Sequence, residues 1–82
     1  MGIEEYDYTD LLERMKKYRY SQNKLAEAIP MSRTALNLKL NNKSLFTQWE
    51  IKAIVNLLEI PTPKIGKYFF KEKVRKNVRK IS

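Results

Sequence analysis

The stretch SQNKLAEAIPMSRTALNLKLNNK, residues 21–43, decides the fold. It divides at Ile29 and Pro30 into two short helical segments joined by a tight turn. Ser21 is an N-cap candidate for the first segment, which carries Leu25, Ala26 and Ile29 inward. Proline disfavours helical geometry in the residue before it, so this segment stops at Ile29. Ser32 is an N-cap candidate for the second, which spans residues 32–42 and ends near Asn41. Asn42 suits the left-handed conformation of a helix C′ residue. The second segment has two chemically different sides. Leu36 and Leu40 lie four residues apart on one, while Arg33, Thr34, Asn37, Leu38 and Asn41 fall on the other. A short helix with a buried stripe and a polar, base-reaching face is what major-groove reading needs. A DNA-binding helix-turn-helix is the first hypothesis.

Three more helices frame this pair. Tyr8, Leu11, Leu12, Met15 and Tyr18 follow the i, i+3, i+4, i+7 pattern and predict a helix over residues 8–18, capped by Asp7 or Thr9. The acidic residues around that start suit the positive end of its dipole. Thr47 and Glu50 have the spacing of a capping box, and Ile51, Ile54, Val55 and Leu58 continue as one stripe to about Glu59. Pro61 and Pro63 break the chain. A last short helix over residues 63–70 turns Ile65, Tyr68 and Phe69 inward. The expected fold class is all-α, a compact bundle of about five short helices, with residues 1–70 as the domain and 71–82 as a basic tail. No strand is expected.

The 82 residues make one domain with one core, and 43% of them are apolar. The net charge of +8 is unevenly placed: residues 1–13 hold five acidic groups and no Lys or Arg. The rest of the chain is strongly basic, which favours polyanionic partners through counterion release. With no Cys and no His, disulfides, zinc fingers, thiol nucleophiles and His-based triads are excluded. A reducing cytoplasm fits this composition. No apolar run is long enough to span a bilayer, and no membrane partner is expected. The acidic N-terminus is unlike a secretory leader. The acidic cluster is read as a dipole-suited helix start and not as a metal site; no cofactor is expected.

The pattern resembles the helix-turn-helix domain of phage repressor and Cro-type regulators over roughly residues 11–58. Gln22, Leu25, Ala26, Ile29, Ser32, Arg33, Leu36, Asn41, Asn42 and Lys43 carry the resemblance. The ending PTPKIGKYFF is similar to that of a small phage-encoded branch of regulators or antirepressors. The resemblance implies a lambda-repressor-like fold. It implies that Gln22 clamps a phosphate, that Arg33, Thr34, Asn37 and Leu38 meet base edges, and that Asn41 and Lys43 hold the DNA backbone beyond the helix. Arg33 suits guanine O6 and N7, and Thr34 or Leu38 a thymine methyl. Ser32 is read first as a cap, and a cap hydroxyl can also meet a phosphate. Two departures stand out. The family usually has Gly after the first of the two helices, where this chain has Pro30, so the turn must be rebuilt. Leu38 projects from the reading face, about 200° from Leu36.

Two functions compete. The first is a sequence-specific, DNA-binding transcriptional regulator of phage or prophage type that reads double-stranded operator DNA with residues 32–42. Such half-site readers usually act as dimers, so a homodimer is a further expectation. The second is an antirepressor that binds a partner phage repressor through the helix-turn-helix region and blocks that repressor's DNA surface. Leu38, Pro30 and the acidic N-terminus favour the second; the basic balance favours the first. An enzyme is the weakest class, because a single small core offers no catalytic cleft. The tail, with Val74, Val78 and Ile81 at helical spacing, is expected to be an electrostatic tether. Lys39 joins Gln22 and Lys43 as an expected phosphate contact. Trp49 reads as a core or surface anchor.

Overall fold

Short hydroxyl side chains fix where three of the helices begin. Ser21 Oγ accepts the Lys24 N–H at 3.1 Å and Ser32 Oγ accepts the Ala35 N–H at 3.0 Å. Thr47 and Glu50 close a reciprocal capping box, at 3.2 and 2.8 Å. Each satisfies donors that a helix start leaves open. The computed structural model describes residues 5–73. Its helices are α1 Thr9–Lys17, α2 Gln22–Ala28, α3 Arg33–Leu40, α4 Gln48–Leu57 and α5 Ile65–Phe69, the last entered through a 3₁₀ turn at Thr62–Lys64. Among the described residues there is no strand, only an antiparallel bridge between Tyr6 and Glu72. The all-α, five-helix expectation holds. No described helix is long and apolar enough to cross a membrane. Residues 74–82 lie outside the described residues, and with them the Val74, Val78 and Ile81 stripe.

The helix ends share one device. After α1, the Tyr20 N–H reaches Met15 O at 2.8 Å and the Arg19 N–H reaches Lys16 O at 3.0 Å. After α3, Lys43 bonds Leu38 and Asn42 bonds Lys39, at 2.8 and 3.2 Å. After α4, Ile60 bonds Val55 and Glu59 bonds Asn56, at 3.0 and 3.4 Å. This is the Schellman pattern, and its pivot needs a left-handed residue. Arg19, Asn42 and Glu59 supply it with φ of 64°, 63° and 53°. The α2 end differs. Met31 N–H still reaches Ala26 O at 3.0 Å, but Pro30 occupies the pivot and has neither an N–H nor access to positive φ. The rebuilt turn keeps the outer bond of the motif and lacks the inner one. Because a left-handed, exposed Arg19 is strained where Gly would not be, Arg19→Gly is expected to raise the melting temperature by a few degrees, about 0.5–1 kcal/mol. A calorimetric melt showing a loss instead would mean that the Arg19 side chain has a stabilising contact.

One core joins all five helices. Leu11, Leu25, Leu36, Ile54 and Leu58 have no exposed surface, and Met15, Ala26, Ile29, Ile60, Tyr68 and Phe69 complete the cluster. Each fully buried aliphatic side chain contributes roughly 1.5–3 kcal/mol. Tyr8, Phe46 and Phe69 extend it as edge-on rings with centroids 5.5 Å apart. Two expected core positions are corrected. Leu12 is 41% exposed: Tyr8, Leu11 and Met15 already fill the buried stripe of α1, and Leu12 lies about 100° beyond Leu11. Leu40 only packs against the cluster from its edge, because it ends α3 where the chain turns away. The α1 start also differs in detail. Tyr8 holds the cap position without a side-chain bond, while Asp7 Oδ1, one residue earlier, accepts the Thr9 N–H at 2.9 Å. The Thr9 side chain first, and then this N–H bond, hold the Asp7 carboxyl below its usual range, with lesser help from Lys71 and Lys73.

Arg14 fastens α1 to the far end of α4. Its guanidinium donates to Leu58 O at 2.8 Å and Glu59 O at 2.7 Å, satisfying carbonyls at a helix C-terminus. It also meets the hydroxyls of Tyr68 and Tyr18, at 3.2 and 3.3 Å, and lies over both rings. The first cation of the basic region is thus committed to the fold.

Candidate interaction surface

The outward side of α3 is where the expected binding residues gather. Ser32, Arg33, Thr34, Asn37, Leu38, Asn41 and Lys43 are all exposed, and Gln22 is half-buried at the start of α2 beside them. Leu36 is wholly buried beneath. The two-sided helix is therefore present, with α2 and α3 set by the Ser21 and Ser32 caps and the four-residue turn between Ala28 and Arg33.

Several polar groups on this side are engaged within the molecule. Asn37 Nδ2 donates to Gln22 Oε1 at 3.4 Å, so the expected phosphate clamp and an expected base reader face each other. Asn41 Nδ2 turns back to Asn37 O at 2.8 Å, one turn up its own helix. Ser32 Oγ holds the cap. Arg33, Thr34, Leu38 and Lys43 have no hydrogen bond through their side chains or ion pair among the described residues. Leu38 is 43% exposed in the middle of this polar side.

Lys39 corrects an expectation. It was expected to meet phosphate, but its ammonium sits 2.6 Å from Glu50 Oε1, with the two side chains 11% and 13% exposed. Lys39 falls on the α4 side of α3 and bridges to the capping box. Burial works against ionisation of Glu50, but the Lys39 ammonium and the Thr47 N–H outweigh it, and the carboxyl sits below its ordinary value of 4.5. A depressed folded-state pKa stabilises the fold above the unfolded value and ceases to do so as pH falls through the folded one. Acid titration should therefore weaken the α3–α4 junction below about pH 4.5. Glu50→Gln should flatten that part of the stability–pH curve, read by melts from pH 3 to 7, and an unchanged curve would place the dependence elsewhere.

Two features were not foreseen, and a third decides between alternatives left open by the sequence. Asn42 grips the N-terminal segment: its Oδ1 accepts the Tyr6 N–H at 2.8 Å and its Nδ2 donates to Tyr6 O at 3.0 Å. Residues 71–73, assigned to the tail, pair with residues 5–7 through Asp7 N–H to Lys71 O at 2.6 Å and Lys73 N–H to Glu5 O at 3.0 Å. Ion pairs join Lys71 to Asp10 and Lys73 to Glu5, each at 3.6 Å. Finally, Trp49 is 60% exposed at the start of α4, and Leu45 and Phe70 are also exposed, which makes Trp49 a surface residue. The only sequence cue was large apolar residues beside polar caps.

An all-α bundle with a two-sided third helix is the class that this geometry defines. Residues 4–72 match the family described as "Protein of unknown function (DUF739)", and the chain belongs to that family. It is also similar to a solved structure, the solution structure of the modulator of repression (MOR) of the temperate bacteriophage TP901-1 from Lactococcus lactis. The identity is 37%, the TM-score 0.70, and the match covers 85% of this chain and 95% of that one. No curated protein matches. The resemblance read from the sequence holds in its coarser part: the similarity is to a phage regulator, without being specific to the Cro and repressor family.

Proposed function

We propose that this chain is a phage or prophage regulator that works on a partner repressor protein in the cytoplasm of a bacterial host, docking through the α3 surface and altering that repressor's hold on its operator. The observation that carries this reading is the similarity to a modulator of repression along nearly the whole of both chains. The surface chemistry supports it. Leu38 presents an apolar contact in the centre of α3, where a protein partner can bury it. Asn37 and Asn41 are already hydrogen-bonded on that side, and Lys39, on the α4 side, is paired with Glu50, which leaves fewer groups of α3 for base edges and phosphates. No catalytic role is part of this reading.

Direct operator reading is the second possibility, favoured by the free first turn of α3, where Arg33 and Thr34 are exposed. One experiment separates the two. The chain is titrated against the repressor of its own genome and against that repressor's operator, at several salt concentrations. Repressor docking predicts a stoichiometric complex, with operator occupancy shifted when the chain is added. Operator reading predicts no such complex and direct DNA binding with a steep log–log salt slope, about one unit per phosphate contact. The second result would overturn the docking reading.

A further inference from the structure

We infer that Asn42 is a positioning residue for the docking surface: its side-chain amide clasps the segment before α1 and so holds the end of α3, with Leu38 and Lys43, in the arrangement that the partner meets. This rests on the repressor-docking reading and names what fixes the geometry of that surface.

Asn42 is the left-handed pivot after α3, with φ of 63°. That conformation closes the helix end: the Asn42 N–H reaches Lys39 O at 3.2 Å and the Lys43 N–H reaches Leu38 O at 2.8 Å. Glycine serves such a pivot at less cost, so backbone conformation alone does not ask for Asn. The amide supplies what glycine lacks. Its Oδ1 accepts the Tyr6 N–H at 2.8 Å and its Nδ2 donates to Tyr6 O at 3.0 Å, across 36 residues of sequence. Asp also tolerates the left-handed region, but its carboxylate carries the acceptor without the donor.

The segment that Asn42 grips is itself anchored. Tyr6 is bridged to Glu72, the Asp7 N–H reaches Lys71 O at 2.6 Å and the Lys73 N–H reaches Glu5 O at 3.0 Å. The Tyr6 ring meets Phe70 edge-on with centroids 5.9 Å apart, and Tyr8, two residues on, is buried in the core. The clasp therefore joins the end of α3 to a fixed frame. Other holds on this end are partial. Leu40 packs only at the edge of the core, the Asn41 amide turns back to its own helix, and Lys39 ties the last turn to α4 alone. Leu38 lies one turn before Asn42, and Lys43 follows it directly. With the clasp open, the last turn settles in several arrangements, of which the partner binds one. Apparent affinity then falls in proportion to the fraction that remains competent.

The test uses the full chain and the repressor of its own genome. Asn42→Gly keeps the pivot and removes the clasp. It should slow association with the repressor about tenfold, with the dissociation rate little changed, as expected when a tenth of the population is competent. Asn42→Asp keeps the pivot and loses the donor to Tyr6 O; it should slow association as well, measured at high salt so that the added charge is screened. Ile60→Val, a core change at the far end of α4, is the stability control: it should lower the melting temperature without slowing association. Amide exchange at Tyr6 should quicken in both Asn42 variants and not in the control. In a Leu38→Gln background, Asn42→Gly should add less than threefold, because the clasp acts through the turn that carries Leu38. If the wild-type chain forms a complex and both Asn42 variants associate at its rate, the inference fails alone. It also fails if Ile60→Val slows association as much, or if the Asn42 and Leu38 effects add in full, since Asn42 is then a structural residue only. A wild-type chain that forms no complex overturns the docking reading and this inference with it.

Discussion

Leu38→Gln is expected to weaken docking onto the partner repressor by tenfold or more, while the melting temperature stays within a few degrees. The side chain keeps its length and its helix propensity, so α3 loses little. Leu38 is 43% exposed and belongs to no core contact, which leaves the fold indifferent to its polarity. In a complex the same position becomes a buried polar amide facing an apolar partner spot. Such central contacts carry about 2 kcal/mol or more on truncation, roughly thirtyfold in affinity. Titration calorimetry against the repressor reads the loss directly. Unchanged affinity would show that the apolar residue is one of the many scattered on ordinary surfaces. Docking would then have to move elsewhere, with exposed Trp49 the next residue to change.

Trp49 and Leu38 show how unevenly the sequence exposes such surfaces. The sides of α3 were legible because helical spacing is a direction: Leu36 and Leu38 differ by about 200° and cannot face the same way. Helix starts were legible for a related reason. A Ser or Thr at the cap bonds an N–H only three residues on, so the whole interaction is local, and the Ser21, Ser32 and Thr47 caps all form. The end of α3 was legible because Asn tolerates the left-handed region, and Asn42 adopts it. Arg19 and Glu59 were not, since nothing in an Arg or a Glu announces that conformation.

Interactions across the chain left no such trace. Arg14 meets carbonyls 44 and 45 residues away, and Asn42 meets Tyr6 across 36. Lys39 meets Glu50 only because α3 and α4 are placed side by side. Counting cations along the sequence therefore overstated how many are free. Arg14, Lys39, Lys71 and Lys73 are all engaged internally. That takes four cations out of the count, while Arg33 and Lys43, at the two ends of α3, have no ion pair among the described residues. The spacing of apolar residues likewise gave a direction but not what covers it, which is why Leu12 and Leu40 were placed deeper than they lie.

That difference sets the second large effect, on stability. Leu36→Ala should cost about 3 kcal/mol, within the range of roughly 2–5 for buried leucines, because its side chain is wholly enclosed among the core residues and its removal leaves a cavity. A domain of this size holds only about 5–10 kcal/mol in total, so the variant should be substantially unfolded at temperatures where the parent is intact. Leu40→Ala should cost clearly less, about 1–2 kcal/mol, since half-buried methyl groups return partly to water and the end of α3 can settle. Urea denaturation of both variants at neutral pH compares them under one set of conditions, with the slope of the transition checked for constancy. Equal losses at the two positions would mean that α3 is rotated so that Leu40 is as deeply packed as Leu36, and the exposure of Leu38 would have to be reassessed with it. A trivial loss at Leu36 would be more serious. That leucine ties the α3 surface to the core, and a surface so loosely held could not present Leu38, Arg33 and Lys43 to a partner in one fixed arrangement.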